Sequence, residues 1–168
     1  MDKPSTDSTR ALRQAFGAFP TGVTVITALR GDGTPAGLTV NSFCSLSLEP
    51  PLLLWSLTAS SPNRALFEAA SHFAVSVLAH DQEHVSKRFA GNGAAPSVKL
   101  NKFDGIALDK HVSGIPLIHG AAAQFVCKRH AHYPGGDHII FSGEVEWYHR
   151  SHAAPLVFHA GHYKKLES

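Results

Sequence analysis

Apolar and polar positions along the chain follow two rhythms, and the two-residue rhythm of strands dominates. A helical spacing comes first: Leu12, Ala15, Phe16 and Phe19 share one face, Ser8 is a candidate N-cap, and Gly17 and Pro20 limit the length. "GVTVITAL" (Gly22–Leu29) is β-branched and predicts a strand, with "RGDGTP" as the turn after it. "GLTVNSFCSLSL" (Gly37–Leu48) predicts one long strand, "EPP" at 49–51 a corner, and "LLLWSL" (Leu52–Leu57) a buried strand. In "SSPNRALFEAASH" Ser61 is placed to cap a helix, Pro62 falls at its favoured first position, and Leu66, Ala69 and Ala70 form its apolar stripe.

"FAVSVLA" (Phe73–Ala79) predicts a strand, and "DQEHVSKRFAG" a short helix with Asp81 as N-cap and Gly91 as its C′ stop. "NGAAPSVKLN" (92–101) predicts a flexible loop. The last third reads as strands: "AAAQFVCKRHAHY", then "DHIIFSGEVEWYHR", then "PLVFHAGHYKKL". In the second of these Ile139, Phe141, Val145 and Trp147 alternate with Ile140, Ser142, Glu144, Glu146 and Tyr148, so one face is expected inside and the other in water. Many strands, few helices and no βαβ alternation predict a mainly β fold, an antiparallel barrel with peripheral helices. A flexible tail at 1–9 and a single domain at 10–168 complete the expected organisation.

Composition narrows the class. The chain has 168 residues, 43% hydrophobic and 17% charged, which suits one domain with a real core and excludes a disordered chain. A formal net charge of +2, with no Lys/Arg run longer than a pair, gives no nucleic-acid footprint. "MDKPSTDSTR" lacks the apolar region of a secretory signal, and "PPLLLWSL" is too short to span a bilayer, so a cytoplasmic location is expected. Cys44 and Cys127, the two cysteines, are expected as free thiols.

Four stretches carry candidate chemistry. The strand around Thr39, Asn41, Ser42, Ser45 and Ser47 is crowded with short hydrogen-bonding groups, where a core strand would use Val, Ile or Phe. Ser61-Pro62-Asn63-Arg64 opens a helix whose free N–H groups, with Ser60, Ser61 and Asn63, could bind an anion; the alternative is an ordinary helix start. Lys87-Arg88-Phe89 could bring cations to the same anion or could be a solvated face ending in a core ring. In "YPGGDHIIF" a tight Gly135-Gly136 turn places Asp137-His138 at a strand start, where His138 either meets a ligand or lies on the surface. The 12 histidines lack zinc-site spacings, and GxSxG, GxGxxG and P-loop signatures are absent.

In order along the chain, "FPTGVTVIT", "GLTVNSFCSLSLEPPLLLW", "SSPNRAL", "FAVSVLAHDQEHVSKRFAG", "KFDGI", "GDHIIFSGEV" and "AGHY" together resemble the flavin reductase-like family. These are the small reductase components of two-component flavin monooxygenases, and the resemblance runs over roughly residues 10–166. It implies a split β-barrel, a homodimer, FMN or FAD as the flavin, and NADH or NADPH as the reductant. It places Thr39, Val40, Asn41, Ser42 and Ser45 along the isoalloxazine ring, and Ser56 and Leu57 under the ribityl chain. Ser60, Ser61 and Asn63 would hold the flavin phosphate, assisted by Arg88, with Phe89 packed nearby. Phe19, Pro20, Thr21, Gly22, His138 and Tyr163 would flank the nicotinamide cleft.

The chain departs from the family pattern at Pro62 and Asn63, where a basic residue or Thr is frequent, and at Cys44, where Thr or Ala is commoner. FMN and FAD therefore both stay open. The implied activity is hydride transfer from NAD(P)H to flavin N5, with reduced flavin diffusing to a separate monooxygenase. Two alternatives remain: a flavoprotein reducing a corrinoid or metal chelate, and a flavin-binding electron carrier or sensor.

Overall fold

β-Branched and aromatic runs become strands throughout the computed structural model, which describes residues 6–91 and 101–166. Helix α1 (Thr6–Gly17) leads to β1 (Thr21–Gly22), β2 (Thr24–Leu29), β3 (Pro35–Val40), β4 (Cys44–Leu48) and β5 (Pro51–Thr58). Helix α2 (Arg64–Ala69), β6 (His72–Val77) and α3 (Glu83–Ala90) follow. The C-terminal part holds the short β7 (Leu108–Asp109) and β8 (Leu117–Ile118), then the long hairpin β9 (Ala123–Gly135) and β10 (His138–Arg150). The chain ends on the hairpin of β11 (Val157–His159) and β12 (His162–Lys164).

Seven strands form one antiparallel sheet in the order β3-β2-β6-β9-β10-β5-β4. β3 and β4 are consecutive in the chain yet lie at opposite edges of that sheet, joined by residues 41–43 alone. So short a link requires the sheet to curl until its edges meet, which is the split β-barrel. Ser42 closes the gap: its Oγ accepts the Ser56 N–H at 2.9 Å and donates to the Ser56 carbonyl at 3.1 Å.

Inside the curl Trp55 stacks on Phe141 at 4.6 Å and meets the edges of Phe67 at 5.0 Å and Phe73 at 5.7 Å. A second core, with Val25, Leu78, Val85, Phe89, Phe103 and Leu156, fixes α3 against the barrel. Both clusters are fully enclosed, so the barrel wall is a rigid support for whatever binds outside it.

Several boundaries differ from the sequence expectation. The strand predicted over Gly37–Leu48 breaks at 41–43, because its two halves pair with different partners, β2 and β5. The strand predicted over Gly22–Leu29 pauses at Val23, whose carbonyl accepts the Leu78 N–H at 2.9 Å. α1 starts by Thr6, inside the expected tail and ahead of Ser8; the rest of that tail and the predicted loop at 92–100 lie outside the described residues. The N-cap of α2 is Asn63 rather than Ser61, and that of α3 is Gln82 rather than Asp81. Gly91 is the C-cap of α3 in extended geometry (φ −69°, ψ 140°), so no left-handed glycine stops that helix.

β10 also departs from strict alternation. Ser142 and Gly143 are both buried, with a register shift between them. The apolar stripe expected of α1 is not packed in the core: Leu12 and Phe16 on the helix, and Phe19 past its end, are 48%, 70% and 75% exposed. No helix among the described residues is long and apolar enough to cross a membrane.

Candidate active site

The break in the barrel wall sets the chemistry of its polar strand. Thr39 and Ser42 do not offer free hydroxyls: Thr39 Oγ1 donates to the Ser86 carbonyl at 2.8 Å, and Ser42 is spent on Ser56. Val40 is half-buried against the core, and its carbonyl accepts the Thr24 hydroxyl at 3.1 Å. Asn41, Cys44 and Ser45 are exposed. Part of the strand's polarity therefore serves the barrel seam, and the part that faces outward is Asn41 with Ser45.

Asn41 opens onto a cavity of about 280 Å³ lined also by Arg13, Phe16, Gly17, Phe19, Thr21, Phe158 and Ala160–Gly161. That volume suits one planar ring rather than a whole dinucleotide. Pairing of β1 with β11 sets Thr21 opposite Phe158 and Gly22 opposite Val157, while the Ala160 N–H donates to the Gly17 carbonyl at 2.9 Å. Ala160 and Gly161 turn the β11–β12 hairpin with φ of 49° and 82°. Ala160 is the non-glycine among the described residues held at positive φ, a strained position at the cavity rim.

Tyr163 backs this wall from behind. Its ring meets Phe158 edge-on at 5.3 Å, and its hydroxyl is 2.8 Å from Ser86 Oγ. Ser86, fully buried on α3, thus touches both the polar strand through Thr39 and the C-terminal hairpin through Tyr163. Its small hydroxyl in a helix gave no sequence signal, and sequence reasoning missed it, along with Arg13 and Phe158.

His138 is not among the residues lining the cavity. It opens β10 opposite Thr58, and its Nδ1–H donates to Asp137 Oδ1 at 2.7 Å. The turn itself is Gly136-Asp137, one residue later than expected, and the Asp137 carbonyl accepts the Ala59 N–H at 2.8 Å. The His138 hydrogen bond and charge hold the Asp137 carboxyl below the usual carboxylate range, with a smaller contribution from Arg13. Arg13 lines the cavity, so cavity and Asp137–His138 turn share one electrostatic neighbourhood.

The expected phosphate residues are partly reassigned. Ser61 Oγ accepts the Asn63 N–H at 3.2 Å inside a turn, and Ser60 is exposed. Arg88 donates to the carbonyls of Lys102 (3.2 Å), Asn101 (3.3 Å) and Asp104 (2.7 Å), so its guanidinium anchors that loop. Phe89 is a core ring packed edge-on against Phe103 at 5.0 Å, and Leu57 is likewise a core side chain. Neither Phe89 nor Leu57 offers a side-chain surface to a ligand. Ser56 keeps a half-buried side chain at the seam, and Pro20 is exposed beside Thr21.

A family model described as "Flavin reductase like domain" matches residues 16–167. The chain belongs to the flavin reductase-like family.

An FMN reductase (NADH) of Agrobacterium fabrum is 44% identical over 158 residues, covering 94% of this chain and 86% of that one. The reductase component of the flavin-dependent trigonelline monooxygenase of Acinetobacter baylyi is 44% identical over 154 residues, and the match spans 48% of its length. Among solved structures, the Streptomyces globisporus NADH:FAD oxidoreductase in complex with NAD and FAD fragments has a TM-score of 0.88 at 36% identity. That alignment covers 99% of this chain and 98% of the other.

The residues of this flavin reductase-like domain fit a planar, polar heterocycle. Thr21 Oγ1 is buried with no hydrogen-bond partner among the described residues, and it sits in the same cavity wall as the exposed Asn41 amide. A buried hydroxyl without a partner is costly unless something bound there satisfies it. Phe16, Phe19 and Phe158 supply apolar faces around those polar groups.

Proposed function

We propose that the protein is an NAD(P)H:flavin oxidoreductase that reduces FMN or FAD and supplies the reduced flavin to a separate monooxygenase component. The cavity at Asn41 carries the reading: an exposed amide, a partnerless buried hydroxyl and three aromatic rings meet beside the polar strand. Relatives named as NADH-dependent reductases support NADH as the donor.

When both nucleotides are bound, they supply the chemistry, hydride transfer from nicotinamide C4 to flavin N5. Asn41, Ser45 and the backbone of 39–45 orient the flavin edge. Phe16, Phe19 and Phe158 exclude water from the reacting faces. Arg13 and His138 would hold the nicotinamide nucleotide, keeping it in reach of the flavin. No proton-transfer residue is assigned, because orientation is the task this wall performs.

Anaerobic mixing with NADH and excess FMN tests the reading: the flavin should bleach as one NADH is consumed per flavin reduced. Flavin binding without NADH consumption would instead mark a flavin holder. His138→Ala should raise KM for NADH roughly tenfold while leaving flavin affinity within a few fold. A wild-type KM in that variant would return His138 to the role of a surface turn residue.

A homodimer belongs to the same proposal. The exposed rings Phe16 and Phe19 both line the cavity, so a second copy covering α1 would close the site as well as bury its apolar stripe. Leu46 and Leu48 on the edge strand β4, 54% and 94% exposed, add apolar surface. Sedimentation should give a dimer, and Phe16→Glu should yield monomers with reduced turnover; a fully active wild-type monomer would rule the arrangement out.

A further inference from the structure

We infer that Ser86 is a positioning residue for hydride transfer: it holds the C-terminal hairpin, one wall of the ring cavity, at a set distance from the polar strand that leads to Asn41. Ser86 is fully buried, so it has no surface to offer either nucleotide and acts through its neighbours. The inference rests on the flavin reading above and deepens it by naming the group that joins the two walls.

That hairpin needs an anchor. β11 and β12 belong to the three-stranded sheet β1-β11-β12, which shares no strand with the seven-stranded barrel sheet. The chain enters β11 firmly, since the Leu156 N–H donates to the Leu78 carbonyl at 2.8 Å and Pro155 bridges to Ala79. Past that point each strand has three residues, and β12 is an outer edge paired with β11. So short a ribbon is marginally stable by itself, and side-chain ties decide where it sits. Its place matters, because Phe158, Ala160 and Gly161 all line the ring cavity.

Ser86 supplies the tie through Tyr163. The two hydroxyls share a hydrogen bond at 2.8 Å. Tyr163 stands opposite Phe158 in the β11–β12 ladder and meets its ring edge-on at 5.3 Å, so a fixed Tyr163 fixes Phe158. On the other side the Ser86 carbonyl accepts the Thr39 hydroxyl at 2.8 Å, two residues before Asn41. Hydrogen bonds thus run from the hairpin through one helical residue to the polar strand.

Helix α3 is a rigid carrier for that link. Val85 just before Ser86 and Phe89 one turn after it are buried in the second core. Lys87 adds a contact from the surface: its Nζ lies 5.8 Å from the Tyr163 ring centroid and pairs with Glu83 at 2.6 Å. A helix that only had to pack there would be better served by alanine, which has the higher helix propensity and buries no polar atom. Serine at this position is explained by the hydroxyl it presents to Tyr163.

The test is the double variant Ser86→Ala/Tyr163→Phe, which removes both hydroxyls and keeps the Ser86 carbonyl for Thr39. Loss of both partners of a hydrogen bond is nearly neutral for stability, so Tm should stay within about 2 °C of wild type. In ligand-free protein, amide hydrogen exchange in β11 and β12 should quicken several-fold while that in β2 and β3 does not. FMN affinity by fluorescence titration should stay within about twofold, yet anaerobic stopped-flow mixing with saturating NADH should show flavin reduction slowed about five- to tenfold, because a loose wall samples the reactive geometry less often. Each single variant should be slowed as much as the pair, the signature of two groups acting through one bond. Should the double variant fail to fold, Tyr163→Phe alone carries the test, since the Ser86 hydroxyl can turn to the Gln82 carbonyl one helical turn back. Unchanged hairpin exchange, a wild-type reduction rate, or slowing matched by an equal loss of FMN affinity would overturn the positioning role. Wild-type protein that bound FMN but did not oxidise NADH would overturn the reductase reading itself, a separate result.

Discussion

Asn41→Leu is expected to weaken flavin binding by roughly ten- to a hundredfold while the protein remains folded, the equivalent of about 1–3 kcal/mol in lost hydrogen bonds. The side chain is exposed, and no described residue makes a hydrogen bond with its amide, so its removal costs the fold little. Its position is nonetheless tightly fixed. Val40, just before it, pairs with Thr24 on β2, and Ser42, just after it, is clamped to Ser56 on β5. A free amide held between two anchored neighbours is positioned in advance for a ligand that meets it. Leucine would also push a branched apolar group into the cavity that Phe19 and Phe158 line. Titration of FMN against wild-type and variant protein with matched thermal unfolding decides the matter, and an unchanged Kd in a folded variant would take Asn41 out of the site.

How much of this was legible in the sequence depends on whether the signal was local. β2, β5, β6 and β10 are dense in Val, Ile, Leu and aromatic residues, and their existence followed from that density. The break at Asn41 did not, because alternating small polar residues read equally well as one strand or as two. It is decided by the pairing of β3 with β2 and β4 with β5, which are contacts between elements. The helical spacing of α1 was visible, but not that its apolar face would look outward past the cavity rather than into the core.

The surroundings of the expected site residues follow the same logic. Arg88 and Phe89 stand side by side in a motif, yet one reaches three loop carbonyls and the other fills a core. Lys102 lies in the "KFDGI" motif, and the fold alone brings Arg30 and Asn63 to the same recess. Phe19, Thr21 and Asn41, the first two expected at the nicotinamide cleft and the third at the flavin ring, line one cavity.

The largest expected loss of stability comes from adding a single methyl group, in Gly143→Ala. A Cβ there would lie 2.4 Å from Phe73 Cζ and 2.8 Å from Cys127 Cβ, well inside contact distance. Neither neighbour has room to retreat: Phe73 is 1% exposed, Cys127 is fully buried, and the Phe73 ring is wedged against Trp55. The backbone is equally constrained, since Gly143 pairs with Leu53 on β5 and with Arg129 on β9. Overpacking of this kind costs about 1–3 kcal/mol, or roughly 2–10 °C in Tm for a chain of this size. Gly31→Ala is the control, because a Cβ there meets nothing within 4 Å, and it should leave Tm nearly unchanged. Thiol labelling gives a second readout. Burial, with a contribution from Glu146, pushes the Cys127 thiol up to about 12, so native protein should react at the exposed Cys44 alone. Loosened packing in Gly143→Ala should let Cys127 label as well, and Phe73→Leu in the same chain should restore part of both the Tm and the protection. Identical Tm values for the Gly143 and Gly31 variants would show that the barrel wall yields there after all, and that glycine at 143 is not a packing requirement.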